Sequence, residues 1–202
     1  ATIFIHNDNP YLKKIAYGLH QIAYGSEDEL YINGHVTGNS PYLTFEWKTG
    51  NESKYHEVQT QLIGEYNFPN ALAAVTIGHF FGVEPEQIDK ALAGYTPQNN
   101  RSQLKKTADN TLIIDAYNAN PTSMMASISN FRNMQAKNKM LILGDMRELG
   151  KDSADEHQKI ADYLEECGFK DVALVGKLFA ATRHSYQSYP DVTALIAELQ
   201  RE

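Results

Sequence analysis

The sequence predicts an α/β protein in two parts, the second a doubly wound domain built on a parallel sheet. Three observations carry this. From residue 111 onward, short apolar runs alternate with helical stretches, as βαβ units require. Before residue 95, strand-like segments gather around one hairpin and are followed by two helical segments. Between them lies "TPQNNRSQ", residues 96–103, which is polar, contains proline and reads as a linker. The domain boundary is placed there, giving parts 1–95 and 96–202.

In chain order, "ATIFIHND" opens as a strand over Thr2–His6, rich in β-branched residues. A strand already in progress at the first residue suggests a domain cut from a longer protein. Leu12, Ile15, Ala16, Leu19, Ile22 and Ala23 recur at helical spacing and predict a helix from Pro10 to about Ala23. Tyr31–Val36 reads as a short strand. "YLTFEWKTGNESKYHEVQTQL" reads as a hairpin, its arms alternating and Thr49-Gly50-Asn51 supplying the turn. In "GEYNFPNALAAVTIGHFFGV", residues 64–83, Pro69 marks a helix start. Ala71, Ala74, Val75 and Ile77 to Phe81 predict that this helix is buried. "EPEQIDKALAGY" is a second helix, with Pro85 near its start and Gly94 at its end. Strands then follow at 111–115, 139–143 and 171–175. Helices are expected at 122–136, 153–167, from about 177, and at 191–201.

Composition narrows the function. The chain has 202 residues, 42% hydrophobic and 21% charged, with a formal net charge of −7. An acidic chain without a basic block lacks the electrostatic footprint for nucleic acid or anionic membranes. Small molecules, or proteins meeting an ordinary surface, are the expected partners. Cys167 is the single cysteine, so no internal disulfide forms, which agrees with a reducing compartment. It ends a helix and reads as a half-buried apolar residue. No run of about 18 apolar residues exists to span a bilayer, and no signal peptide is visible.

Standard chemical motifs are absent: no G-x-x-x-x-G-K-[ST] loop, no G-x-G-x-x-G, no G-x-S-x-G and no H-E-x-x-H. Four stretches stand out instead by placement. "DAYNANP", residues 115–121, and "GDMRELG", residues 144–150, each follow a strand, where ligands bind in parallel α/β sheets. The others are "GEYNFPN" and "NNRSQ". Asp115 suits a ribose diol, since both hydroxyls can donate to a carboxylate; it equally suits a turn or cap. Tyr117 suits base stacking or packing. Asn118 and Asn120 suit ligand hydrogen bonds, and Asn120 before Pro121 also suits an N-cap. Asn67 and Asn70 share one side of a helix start. An asparagine amide can pair with the N6/N7 edge of adenine, and it can equally cap the helix. Arg101 can fork onto a polyphosphate or stand as a surface cation. For Asp145 and Glu148, turn and cap roles are favoured over catalysis.

As a set, "GEYNFPNALAA", "NNRSQ", "DAYNANPTSM", "LILGDMRELG" and "EH" at 156–157 resemble, in order, the Mur ligases of peptidoglycan synthesis. The "DAYNANP" and "GDMRELG" pair is similar to the branch that joins D-alanyl-D-alanine to the UDP-N-acetylmuramoyl-tripeptide. The resemblance implies an ATP-dependent ligase of the cytoplasm, monomeric and working with Mg2+ through an acyl phosphate. It implies that residues 1–95 are the last part of the central ATP-binding domain, an incomplete sheet plus a β-hairpin. Residues 96–202 would be the Rossmann-like C-terminal domain. It places Asn67 and Asn70 near adenine, Arg101 near the phosphates and Asp115 at the ribose, with Tyr117, Asn118 and Asn120 lining the same crevice. "FIHNDNPYL" is similar to the family's N-x-D-D-P-L stretch, with Asn9 in place of the second aspartate. Tyr66-Asn67 stands where the family has His-Asn. The phosphate-loop lysine and the metal ligands would lie upstream of Ala1, so the chain alone is expected to be inactive. His157 is expected to be structural. The alternatives are another Mur or folylpolyglutamate-type amide ligase, or a non-catalytic nucleotide-binding module.

Overall fold

The hairpin read between residues 42 and 62 is the centre of the first of two compact units. The computed structural model describes residues 1–201, and packing divides them at Ile114 and Asp115. The hairpin arms are β4 (Tyr42–Thr49) and β5 (His56–Ile63), paired antiparallel. Along β4 every second residue turns inward, and Leu43, Phe45 and Trp47 are fully buried. With β1 (Thr2–His6), β2 (His20–Gly25) and β3 (Ile32–Asn39) they form a sheet ordered β1-β2-β3-β4-β5. The β1-β2-β3 side is parallel and the β3-β4-β5 side antiparallel.

Helices α2 (Phe68–Phe80) and α3 (Pro85–Gly94) supply Leu72, Val75 and Ile88 to the same core. Gly34 of β3 faces Leu72 so closely that an added Cβ would stand 2.8 Å from its Cδ1. A polar clamp closes the margin: the Trp47 indole N–H donates to Asp89 Oδ1 at 2.8 Å, and His56 Nδ1 lies 3.1 Å from Asp89 Oδ2. The His56 ring stacks on the Trp47 indole at 4.6 Å.

Three sequence expectations are corrected here. The helix expected over Pro10–Ala23 is only α1, Pro10–Ile15, and residues 20–25 form β2. Asn9 starts α1 by accepting from the Tyr11 and Leu12 N–H groups, and Gly18, at φ +82°, breaks the chain before β2. Ile22 and Tyr24 sit at strand spacing and turn into the core, so the two periods coincided over a short run. Second, α2 is buried on one side only: Ala71, Leu72, Val75 and Thr76 are inside, while Ile77, Phe80 and Phe81 are exposed. The exposed end is partly covered by Phe4, whose ring meets Phe80 edge to face at 5.2 Å. Third, the strand expected at 111–115 is β7 (Thr111–Ile114), which pairs antiparallel with β6 (Gln103–Lys106) rather than in the parallel sheet. A tight turn makes that hairpin: the Thr107 N–H donates to the Asn110 carbonyl, and the Asn110 N–H to Thr107 Oγ1.

The second unit is the doubly wound one. Its sheet is parallel throughout, ordered β10 (Gln187–Tyr189), β9 (Asp171–Val175), β8 (Met140–Gly144). The alternation of β9 assigns the faces. Val172 and Leu174 meet Met124 and Ile128 of α4 (Pro121–Asn133) and Ile160 and Leu164 of α5 (Ser153–Glu166). Ala173 and Val175 meet Leu195 of α7 (Val192–Leu199) on the other face. A short α6 (Lys177–Ala180) follows β9 and buries Phe179. Strand β10 was not expected from the sequence, because "QSY" is short and carries no apolar alternation.

Candidate functional site

In the first unit the candidate residues are set by two bends that share one serine. A 3₁₀ turn, Glu65–Asn67, leads into α2. Gly64 opens it at φ +90°, with the Tyr66 ring where a side chain on residue 64 would be. Asn67 does not cap the helix. Its Nδ2 donates to the Ile63 carbonyl at 2.8 Å and to Ser102 Oγ at 3.2 Å. The Tyr66 hydroxyl lies 2.8 Å from the same Ser102 Oγ. Ser102 is buried and thereby ties "GEYNFPN" to "NNRSQ".

Arg101 is exposed between Asn100 at φ +53° and Ser102 at φ +47°. Left-handed backbone at two non-glycine residues is costly and gathers at functional sites. Asn70 is exposed in the first turn of α2. The structure therefore brings the Asn67 and Arg101 bends together through Tyr66 and Ser102. Tyr66 was noted from the sequence only for standing where the family has histidine; its link to Ser102 was not legible, because 36 positions separate the two.

In the second unit, "DAYNANP" runs from the first residue past β7 to the start of α4. The exposed Asp115 carboxylate accepts from the Ser127 hydroxyl of α4 at 2.8 Å. Tyr117 is 61% exposed. Asn118 Oδ1 accepts from the Ala119 N–H at 2.9 Å. Asn120 is the N-cap of α4, its Oδ1 accepting from the Ser123 N–H at 3.0 Å, with proline next in the chain.

"GDMRELG" follows β8. Asp145 takes the cap role expected of it, accepting from the Leu178 and Phe179 N–H groups at 3.1 and 2.9 Å. Arg147 and Glu148 are exposed. His157, on α5, is wholly buried. Among the described residues there is no group of three or more His, Cys, Asp or Glu side chains that could hold a metal ion. Among them, too, no helix is long and apolar enough to cross a membrane.

Polar loops at strand ends, an arginine bend with left-handed backbone on either side and a parallel doubly wound sheet characterise this α/β protein. The domain family described as "Mur ligase, glutamate ligase domain" matches residues 100–201. This chain belongs to the Mur ligase family. It is 39% identical over 121 residues to a UDP-N-acetylmuramoyl-tripeptide–D-alanyl-D-alanine ligase of Bacillus subtilis, covering 59% of this chain and 26% of that protein. It is 31% identical over 172 residues to the Escherichia coli protein of the same description, covering 83% of this chain and 37% of the relative. The fold matches that of the MurF ligase of Thermotoga maritima, solved in complex with ADP, with a TM-score of 0.82 at 17% identity. That match covers all of this chain and 47% of the other. The chain thus spans only about a third of the length of the curated relatives it matches.

Proposed function

We propose that the protein to which these residues belong is the ATP-dependent ligase that joins D-alanyl-D-alanine to the UDP-N-acetylmuramoyl-tripeptide in cytoplasmic peptidoglycan precursor synthesis. The observation that carries this reading is the naming of the sequence relatives together with "DAYNANP" at 115–121. In the proposed reaction a peptide carboxylate oxygen attacks the γ-phosphorus of ATP and ADP leaves. The dipeptide amine then attacks the acyl phosphate carbon, and the tetrahedral intermediate expels phosphate as the amine loses its proton. Magnesium, when it accompanies ATP, neutralises phosphate charge; no cluster among the described residues fits it, so no residue is assigned to it.

The roles assigned in this chain are binding roles. Asp115 accepts from the ribose hydroxyls, and its bond from Ser127 fixes the carboxylate plane. Arg101 meets phosphate oxygens. Both hydrogens of Asn67 Nδ2 are committed to Ile63 and Ser102, so Asn67 offers a base only its Oδ1, an acceptor for an exocyclic amine. Asn70 can both donate and accept, and so can bridge the N6/N7 edge. Tyr117, Asn118 and Asn120 are assigned as further nucleotide contacts, Tyr117 by stacking. The phosphate loop, absent from these 202 residues, is assigned to the rest of the enzyme.

The test is phosphate release by the full-length enzyme. Turnover is expected only with ATP, the tripeptide precursor and the dipeptide all present, and none is expected from residues 1–202 alone. Full-length turnover with a single amino acid in place of the dipeptide would assign the protein to another amide ligase instead.

A further inference from the structure

His157 is fully buried and hydrogen-bonded at both ring nitrogens. Nε2 accepts from the Met146 backbone N–H at 3.0 Å, and Nδ1 lies 2.7 Å from the Ser153 carbonyl oxygen. A backbone N–H can only donate and a carbonyl can only accept, so the ring carries its single proton on Nδ1 and is neutral. The ring edge also meets Phe179 of α6 at 4.7 Å.

The partner of this imidazole is a loop. Met146 is fully buried, and its neighbour Asp145 holds the Leu178 and Phe179 N–H groups while donating its own N–H to the Val175 carbonyl. Two consecutive residues past β8 are thus gripped by α5, α6 and β9. The next two, Arg147 and Glu148, are exposed at the carboxyl end of a parallel sheet, the end where such sheets take their ligands. An apolar side chain would fill the position of His157 without the penalty of burying polar nitrogens. What the imidazole adds is a fixed Met146 backbone.

We infer that His157 is a positioning residue: as a neutral Nδ1–H imidazole it locks residues 144–150, so that Arg147 and Glu148 are presented to substrate at a fixed place. The presentation of substrate rests on the proposed ligase function; the locked tautomer does not.

Two measurements separate the parts. In a long-range 1H–15N spectrum of the histidine-labelled chain at neutral pH, His157 should show a protonated Nδ1 and an unprotonated Nε2. An Nε2–H tautomer or an imidazolium overturns the inference. In the full-length ligase, His157→Leu should lower kcat/KM by about 10- to 100-fold, as small displacements of ligand-side groups do, with the KM for ATP changed less than that for the dipeptide. His157→Gln, whose amide can accept from Met146 and donate to Ser153, should recover at least a third of the loss on a logarithmic scale. A folded Leu variant, judged by near-ultraviolet circular dichroism, with kcat/KM within twofold of the parent overturns the inference. If the Leu variant does not fold, the Gln variant decides: no shift of the Met146 amide resonance and full activity support the lock, and a displaced amide with full activity overturns it. A parent enzyme inactive on the proposed substrates, with the expected tautomer present, counts against the ligase reading alone.

Discussion

Gly176 shows how much one residue can decide. It sits between β9 and α6 at φ +122°, a conformation L side chains rarely adopt, and the place of an added Cβ falls on the Asp145 carboxylate. A methyl group there would overlap the carboxylate that caps α6. Gly176→Ala is expected to destabilise the second unit by about 1–3 kcal/mol, visible as a lower urea midpoint with an unchanged slope. Asn120 makes a gentler case. Asn120→Ala should cost about 1 kcal/mol in the same measurement and Asn120→Ser only a few tenths, because serine also caps. Both roles differ in how they read from sequence. Asn120 before Pro121 is a local signal, so the cap was legible. The cap role of Asp145 was legible too, but its partners, Leu178 and Phe179, lie more than thirty positions on and were not. The same distance hid Ser102, which holds both Tyr66 and Asn67.

At the scale of elements, strong patterns read well and short ones did not. The β4–β5 hairpin was legible because eight residues of alternation leave few other options. The α4-β8-α5-β9 succession was legible because apolar runs and amphipathic stretches alternate cleanly. Residues 10–25 misled because Ile22 continues the helical spacing of Leu12, Ile15 and Leu19 and also begins the inward face of β2 that Tyr24 extends; Gly18, at φ +82°, lies between α1 and β2. The β6–β7 hairpin was missed because its strands are four residues long and half exposed. Between elements, the Asp89 clamp offers a test. Asp89→Ala leaves the indole N–H of the buried Trp47 without its acceptor and removes the partner of His56. A loss of about 1–3 kcal/mol is expected in chemical denaturation. Asp89→Asn keeps an acceptor for the indole and should lose less.

For the whole molecule, the proposed nucleotide contacts are Asn67, Asn70 and Arg101 in the first unit and Asp115, Tyr117, Asn118 and Asn120 in the second. Asp115 tests this most directly. In the full-length enzyme Asp115→Ala should weaken ADP about tenfold, near 1.4 kcal/mol, as measured by calorimetric titration. The bond that Ser127 donates to Asp115 is lost as well, so the melting temperature without nucleotide is read beside the titration. The candidate set rests on polar residues that crowd the strand-to-helix turns of a sequence otherwise built on apolar periodicity. What the sequence did not show is which hydrogen-bonding groups are already spent inside the fold. The commitment of Asn67 Nδ2 to Ile63 and Ser102 is the clearest case.

The two left-handed residues around Arg101 carry a last consequence. Asn100 and Ser102 fix the main chain on either side of that guanidinium at the moment of folding, so little backbone freedom is left to lose when an anion arrives. Glycine at position 100 would adopt the same dihedral angles more comfortably and yet serve worse. In the phosphate role proposed for Arg101, the charge would still attract an anion at the same rate, but the loosened bend would release it sooner. On that reading, comfort of the chain and residence time of the ligand are set against each other at this bend.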